Sequence, residues 1–101
     1  MRIMLACNAG MSTSLVVSKM EEAAKQQGKD YKIWAVEQGE IEDELGNFDV
    51  VLLGPQIRHA LKRISKLVGD KGKVAVIDSV AYGTCNGAKV LEQAENLVQG
   101  E

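Results

Sequence analysis

Cys7 stands where an apolar run, Ile3-Met4-Leu5-Ala6, gives way to the stretch Cys7-Asn8-Ala9-Gly10-Met11-Ser12-Thr13-Ser14, and a helical pattern begins immediately afterwards. A strand that feeds a loop of small residues and then a helix gathers backbone N–H groups around an anion. Gly10 permits the positive φ that lets successive N–H groups converge. Ser12, Thr13 and Ser14 place hydroxyls where N-caps sit, and the partial positive charge of the helix start adds to the field. A thiol at the strand end of such a loop is placed to attack phosphorus, and the loop to hold the dianionic phosphoryl group it accepts. The same residues also read as a small core side chain followed by an ordinary capping turn, because cysteine often packs as a small hydrophobe.

What the loop lacks narrows the chemistry. A cysteine phosphatase clamps its phosphate with the arginine of Cys-x5-Arg, two parallel hydrogen bonds from one guanidinium. Thr13 occupies that position, and no Arg or Lys lies between Cys7 and Ser14. Hydrolysis of a phosphate ester is therefore expected to be poor. Receiving a phosphoryl group from one protein and passing it on suits the loop better, since positioned backbone donors suffice when the partner brings the rest. No Gly-x4-Gly-Lys-Ser/Thr run is present, which argues against direct use of a nucleoside triphosphate.

The loop must be positioned by the elements around it. Strand-like runs cover Arg2–Ala6, Tyr31–Glu37, Asp49–Leu53 and Lys73–Ile77. Val50-Val51-Leu52-Leu53 and Val74-Ala75-Val76-Ile77 are continuously apolar, as expected of strands covered on both faces. Between them, Val16, Val17, Met20, Ala23, Ala24 and Gln27 share a face of a helix over about Thr13–Gln27, which Gly28 stops. A short acidic segment, Glu40–Leu45, sets Ile41 and Leu45 one turn apart. A third helix over about Gln56–Val68 aligns Ile57, Ala60, Leu61, Ile64, Leu67 and Val68. A fourth over about Asn86–Val98 aligns Val90, Leu91, Ala94, Leu97 and Val98. The alternation β-α-β-α-β-α-β-α predicts an α/β fold of three layers: a four-stranded parallel sheet with helices on both faces. The expected strand order is 2-1-3-4. Strand 1 is then central, and Cys7 lies at its carboxyl end, where open sheets of this class bind ligands.

Composition excludes several function classes. The 101 residues carry a formal charge of −2, which gives no electrostatic footprint for nucleic acid. Apolar residues make up 46% and charged residues 26%, ordinary globular values that predict a single domain over 1–101. Cys7, Cys85 and the lone His59 are too few and too scattered for a zinc site, so no metal and no cofactor is expected. No signal peptide or membrane-spanning run is visible, and the expectation is a soluble, reduced, cytoplasmic protein.

The run Ile3 to Leu15, with Cys7-Asn8-Ala9-Gly10-Met11-Ser12-Thr13-Ser14 at its centre, resembles the phosphocysteine loop of the enzyme IIB component of the bacterial phosphotransferase system, lactose/cellobiose (chitobiose) family. Val51-Leu52-Leu53-Gly54-Pro55-Gln56, Val76-Ile77-Asp78-Ser79 and Tyr82-Gly83 also match that family's pattern, so the resemblance covers essentially the whole chain. One departure is Asn8, where Ser is expected. The resemblance implies a fold similar to low-molecular-weight tyrosine phosphatases. It also implies a relay: a histidine-phosphorylated IIA protein donates to Cys7, and Cys7 donates to a sugar held by the membrane-embedded IIC permease, with which this domain would associate. A β-linked disaccharide such as cellobiose, chitobiose or lactose would be compatible. Two rival readings are a small phosphatase or arsenate reductase of the same fold, and a noncatalytic module that senses phosphate.

Other residues divide between site and scaffold. Pro55 and Gln56 follow strand 3, so their loop should lie beside Cys7; Gln56 either contacts the phosphoryl group or a partner, or simply follows a proline turn that starts a helix. Asp78 follows strand 4, where capping of the next turn is expected over a general-acid role. Tyr82 belongs to the same neighbourhood. His59 points away from the apolar face beside Lys62, Arg63 and Lys66, and is expected to be solvated. Cys85 is expected to pack as a small residue. Leu15 falls outside the apolar stripe of the first helix. With Met11 at the loop tip it suggests a docking patch that excludes water around the S–P bond.

Overall fold

The apolar run Val50-Val51-Leu52-Leu53 becomes a strand with all of its residues buried, as a strand between two others with both faces covered must be. The strands are β1 (Arg2–Cys7), β2 (Lys32–Glu37), β3 (Val50–Leu53) and β4 (Lys73–Val76), all parallel in the order β2-β1-β3-β4. The computed structural model describes residues 1–8 and 11–100, and for Met11 and Ser12 the backbone alone. Helices are α1 (Met11–Gln26), α2 (Leu61–Val68), α3 (Ser79–Gly83) and α4 (Gly87–Val98).

Alternation along β1 separates two cores. Ile3 and Leu5 pack with Val16, Met20, Val90 and Leu91 under α1 and α4. Met4 and Ala6 pack with Ile41, Phe48, Ile57 and Ile64 on the side of α2. The expected three layers and strand order are thus observed.

Several expectations are corrected at this level. β4 is an edge strand, so Val74, Ala75 and Val76 are only half-buried despite their apolar run. The acidic segment is two single 3-10 turns, Gln38–Glu40 and Glu42–Glu44, that bury Ile41 between them. The helix expected from Gln56 is broken. Pro55–Ala60 forms a 3-10 segment in which Ile57 (φ −115, ψ 24) leaves the helical region, and α2 begins only at Leu61. The break lets Ile57 enter the core and rotates Leu61 out of it, so Leu61 is exposed. Gln27, just past α1, and Val98, the last residue of α4, are exposed as well. The short helix α3 was not foreseen.

Polar ties sit at the end of the sheet away from Cys7. Arg2 Nη2 donates to Asp49 Oδ1 at 3.0 Å and its backbone N–H to Asp49 Oδ2 at 2.7 Å, which together hold the Asp49 carboxyl below the usual carboxylate range. Glu95 on α4 accepts from Lys29 and, at 2.7 Å, from Tyr31 Oη. Burial pushes its carboxyl up, and these two hydrogen bonds with the Lys29 charge outweigh it and hold the group low. No helix among the described residues is long and apolar enough to cross a membrane.

Candidate functional site

Cys7 is the last residue of β1, one residue further into the sheet than the strand-end loop position expected, and it is 1% exposed. Burial alone would make it a core side chain. Its place is what distinguishes it: the carboxyl end of a central strand, beside the point where β1 and β3 feed connections to opposite faces. Gly54, directly after β3, donates its N–H to Ala6 O at 2.8 Å. A Cβ at Gly54 would lie 3.4 Å from Cys7 Cβ and 2.7 Å from Gln56 Oε1. The missing side chain therefore keeps open the space shared by the cysteine and Gln56.

The first helix begins at Met11, two residues earlier than the expected Thr13. Its first turn lacks intrahelical acceptors for its N–H groups, the donors an anion would take up. Thr13, which stands at the phosphatase arginine position, is the only buried polar side chain among the described residues. Its Oγ1 shares a 3.1 Å hydrogen bond with Tyr82 Oη, so its hydroxyl is turned inward. Gln56 Nε2 donates to the same Tyr82 oxygen at 3.2 Å. Tyr82 thus joins the first turn of α1 to the Pro55-Gln56 turn, the two segments that flank Cys7. Ala9 and Gly10, and the side chains of Met11 and Ser12, lie outside the described residues.

Tyr82→Phe removes the partner that the fully buried Thr13 hydroxyl has among the described residues. It is expected to destabilise the fold by about 1–3 kcal/mol in urea denaturation. Adding Thr13→Val should recover much of that loss, since no buried hydroxyl is then left unsatisfied and the exposed Gln56 amide can turn to water. A double variant no more stable than Tyr82→Phe alone would show that the hydrogen bond does not hold these segments together.

The other expected residues separate cleanly. Asp78 caps α3, its Oδ2 accepting from Ala81 N at 3.0 Å, as the capping expectation had it. His59, Lys62, Arg63 and Lys66 are exposed. Cys85 is half-buried between α3 and α4 with φ 52, and no disulfide joins it to Cys7. Leu15 is 50% exposed, outside the stripe formed by Val16, Val17 and Met20. Asn8 was foreseen as a loop residue, but its partners were not: its Oδ1 accepts from Gln38 Nε2, and Gln38 Oε1 accepts from Arg63 Nη2 at 3.0 Å. The one signal pointing to Gln38 is its position, directly after the carboxyl end of β2. No cluster of metal-ligating side chains occurs among the described residues.

The chain is similar to known proteins over nearly its full length. Residues 2–93 match the family model of the PTS system lactose/cellobiose-specific IIB subunit. The oligo-beta-mannoside-specific EIIB component of Bacillus subtilis (strain 168) is 42% identical over 98 residues, 96% of this chain and 95% of that protein. The cellobiose-specific EIIB component of Lactococcus lactis subsp. lactis (strain IL1403) and the galactose-specific one of Lactococcus lactis subsp. cremoris (strain MG1363) are each 45% identical, over 95% of this chain and 94% of theirs. The solution structure of a cellobiose-specific phosphotransferase IIB component from Borrelia burgdorferi superposes with a TM-score of 0.80 at 40% identity, covering 98% of this chain and 92% of that one. The lactose-specific IIB domain of the phosphoenolpyruvate:carbohydrate phosphotransferase system from Streptococcus pneumoniae superposes with a TM-score of 0.85 over 96% of each chain; at 15% identity this is a likeness of fold.

Proposed function

This chain belongs to the lactose/cellobiose-specific IIB subunit family of the phosphotransferase system, and from that premise we propose that Cys7 is its phosphoryl carrier. The observation that carries the reading is the seat of Cys7: the carboxyl end of the central strand, beside the side-chain-free Gly54 and just before the N-terminus of α1. In the first half-reaction the Cys7 thiolate attacks the phosphorus of a phosphohistidine on a IIA protein. The S–P bond forms, the P–N bond breaks, and the electron pair leaves with the imidazole, which then takes a proton. In the second, a sugar hydroxyl held by the IIC permease attacks the same phosphorus and loses its proton. The S–P bond breaks and the thiolate returns. Helix N–H donors stabilise charge on the transferring group throughout. Thr13 in place of a guanidinium keeps water from being a competitive acceptor.

The acceptor is read as a β-linked disaccharide. Relatives named for oligo-beta-mannoside, galactose and cellobiose match this chain at nearly equal identity, which supports reading the choice of sugar as the permease's rather than this domain's.

Incubation with phosphoenolpyruvate, the general phosphotransferase proteins and a cognate IIA tests the reading. Mass spectrometry should find one phosphoryl adduct, mapped by peptide to Cys7. A wild-type protein that stays unmodified under those conditions would overturn it. The rim is expected to matter as well: Leu15→Glu puts a charge on an exposed position one turn into α1. It should slow transfer from IIA about tenfold while leaving the urea midpoint unchanged, since surface substitutions act within about 0.5 kcal/mol. Unaltered transfer kinetics would remove Leu15 from the docking surface.

A further inference from the structure

Beyond the carboxyl end of β2, three side chains form a line that ends next to Cys7. Arg63, exposed on α2, donates from Nη2 to Gln38 Oε1 at 3.0 Å, and Gln38 donates from Nε2 to Asn8 Oδ1. The direction of this line follows from the inventory of donors. A guanidinium has donors only. Gln38 must therefore meet Arg63 with its oxygen, which turns its nitrogen toward Asn8, and Asn8 must answer with its own oxygen. That leaves Asn8 Nδ2 as the donating end of the line, in the residue that follows Cys7. Arg63 takes part in none of the ion pairs of the described residues, so among these no carboxylate is paired with it. Both amide dipoles point the same way, and hydrogen bonds arranged in series polarise one another.

We propose that Asn8 Nδ2 donates to a non-bridging oxygen of the phosphoryl group on Cys7, and that Gln38 and Arg63 are positioning residues that hold and polarise this amide; the proposal rests on the carrier reading above. Arg63 then stands in for the arginine missing from the loop, but at two side chains' remove. Positive potential reaches the dianion through Asn8, while no guanidinium grips it bidentately. Such an arrangement retains the phosphoryl group for a partner without building a phosphatase. It also accounts for Asn8 in place of the expected Ser: a hydroxyl is too short to take up Gln38 and the anion with opposite ends.

Gln38→Glu separates this line from a merely structural tie. The substitution keeps an acceptor for Arg63 and makes an ion pair of it, but it removes the donor to Asn8 and brings negative charge toward the phosphoryl group. The folded protein should be as stable as wild type in urea, whereas transfer from phosphorylated IIA should fall about tenfold, the scale of a lost charge-assisted hydrogen bond. Phosphorus NMR of the phosphorylated protein should show the second ionisation of the phosphoryl group moved to higher pH. Arg63→Ala should slow transfer about threefold, with Arg63→Lys restoring part of the rate. Gln38→Glu that transfers at the wild-type rate with the ionisation unmoved overturns the proposal while the carrier reading stands. A wild-type protein that takes no phosphoryl group on Cys7 overturns both, so the two failures are read from different samples.

Discussion

Cys7→Ser is expected to lower phosphoryl transfer to the sugar by about 10²–10⁴-fold, the scale of losing a nucleophile that needs no general base. A thiol is partly ionised near neutral pH and attacks as the thiolate, whereas a serine hydroxyl must be deprotonated as it attacks. The side chains gathered around position 7 do not supply that help: Asn8, Thr13 and Gln56 are uncharged, and the lone His59 is exposed within the turn Pro55–Ala60. Any phosphoserine that formed would be a stable ester, poor at passing its phosphoryl group to a second alcohol. The fold should survive, because oxygen is smaller than sulfur. Burying the hydroxyl at a position 1% exposed costs about 1–3 kcal/mol. The transfer loss corresponds to about 3–5 kcal/mol at about 1.4 kcal/mol per decade, so kinetics and urea denaturation give separable answers. Cys85→Ser serves as the matched control and should transfer normally. A Cys7→Ser protein that phosphorylates sugar within tenfold of wild type would place the carrier elsewhere.

The parts of this site legible in the sequence are those governed by short-range pattern. A continuous apolar run marked β3 as an inner strand, though the same pattern misled at β4, which lies at the sheet edge; alternation with helices then required a parallel sheet with Cys7 at its carboxyl edge. Asp78 as a cap and Leu15 off the buried stripe follow from local spacing in the same way. The misses share a cause, contacts between residues distant along the chain. The Pro55–Ala60 segment reads as the first turn of a helix, but burial of Ile57 against Met4 and Ala6 wins over helix continuity and shifts Leu61 to the surface. Thr13 reads as a loop hydroxyl until Tyr82, from α3, reaches it. Arg63 reads as one of several solvated cations, and only the fold brings Gln38 between it and Asn8. Sequence thus singled out Cys7, the proposed nucleophile, while the groups that hold its surroundings in place came from three separate connections.

Gly87→Ala is expected to be the most damaging small substitution outside the site, and nothing about its position in the sequence announces this. Gly87 opens α4 directly after the cap Asn86, where alanine is ordinarily welcome. A Cβ there would lie 2.3 Å from Lys19 C, 2.5 Å from Lys19 O and 2.5 Å from Met20 N. These are backbone atoms in the middle of α1, so no rotamer change relieves the overlap; α4 must move away from α1. Overpacking of this kind costs about 1–3 kcal/mol, and here the strained contact is the seam between the two helices that cover one face of the sheet. Against a total stability of about 5–15 kcal/mol, that is a large fraction. Because α1 also supplies the helix start beyond Cys7, the shift should slow phosphoryl transfer in the folded fraction as well. Gly83→Ala is the control: a Cβ at Gly83 meets nothing within 4 Å, and that variant should match wild type or exceed it slightly. A Gly87→Ala protein within about 0.5 kcal/mol of wild type in urea would mean that α1 and α4 do not pack backbone to backbone at this point.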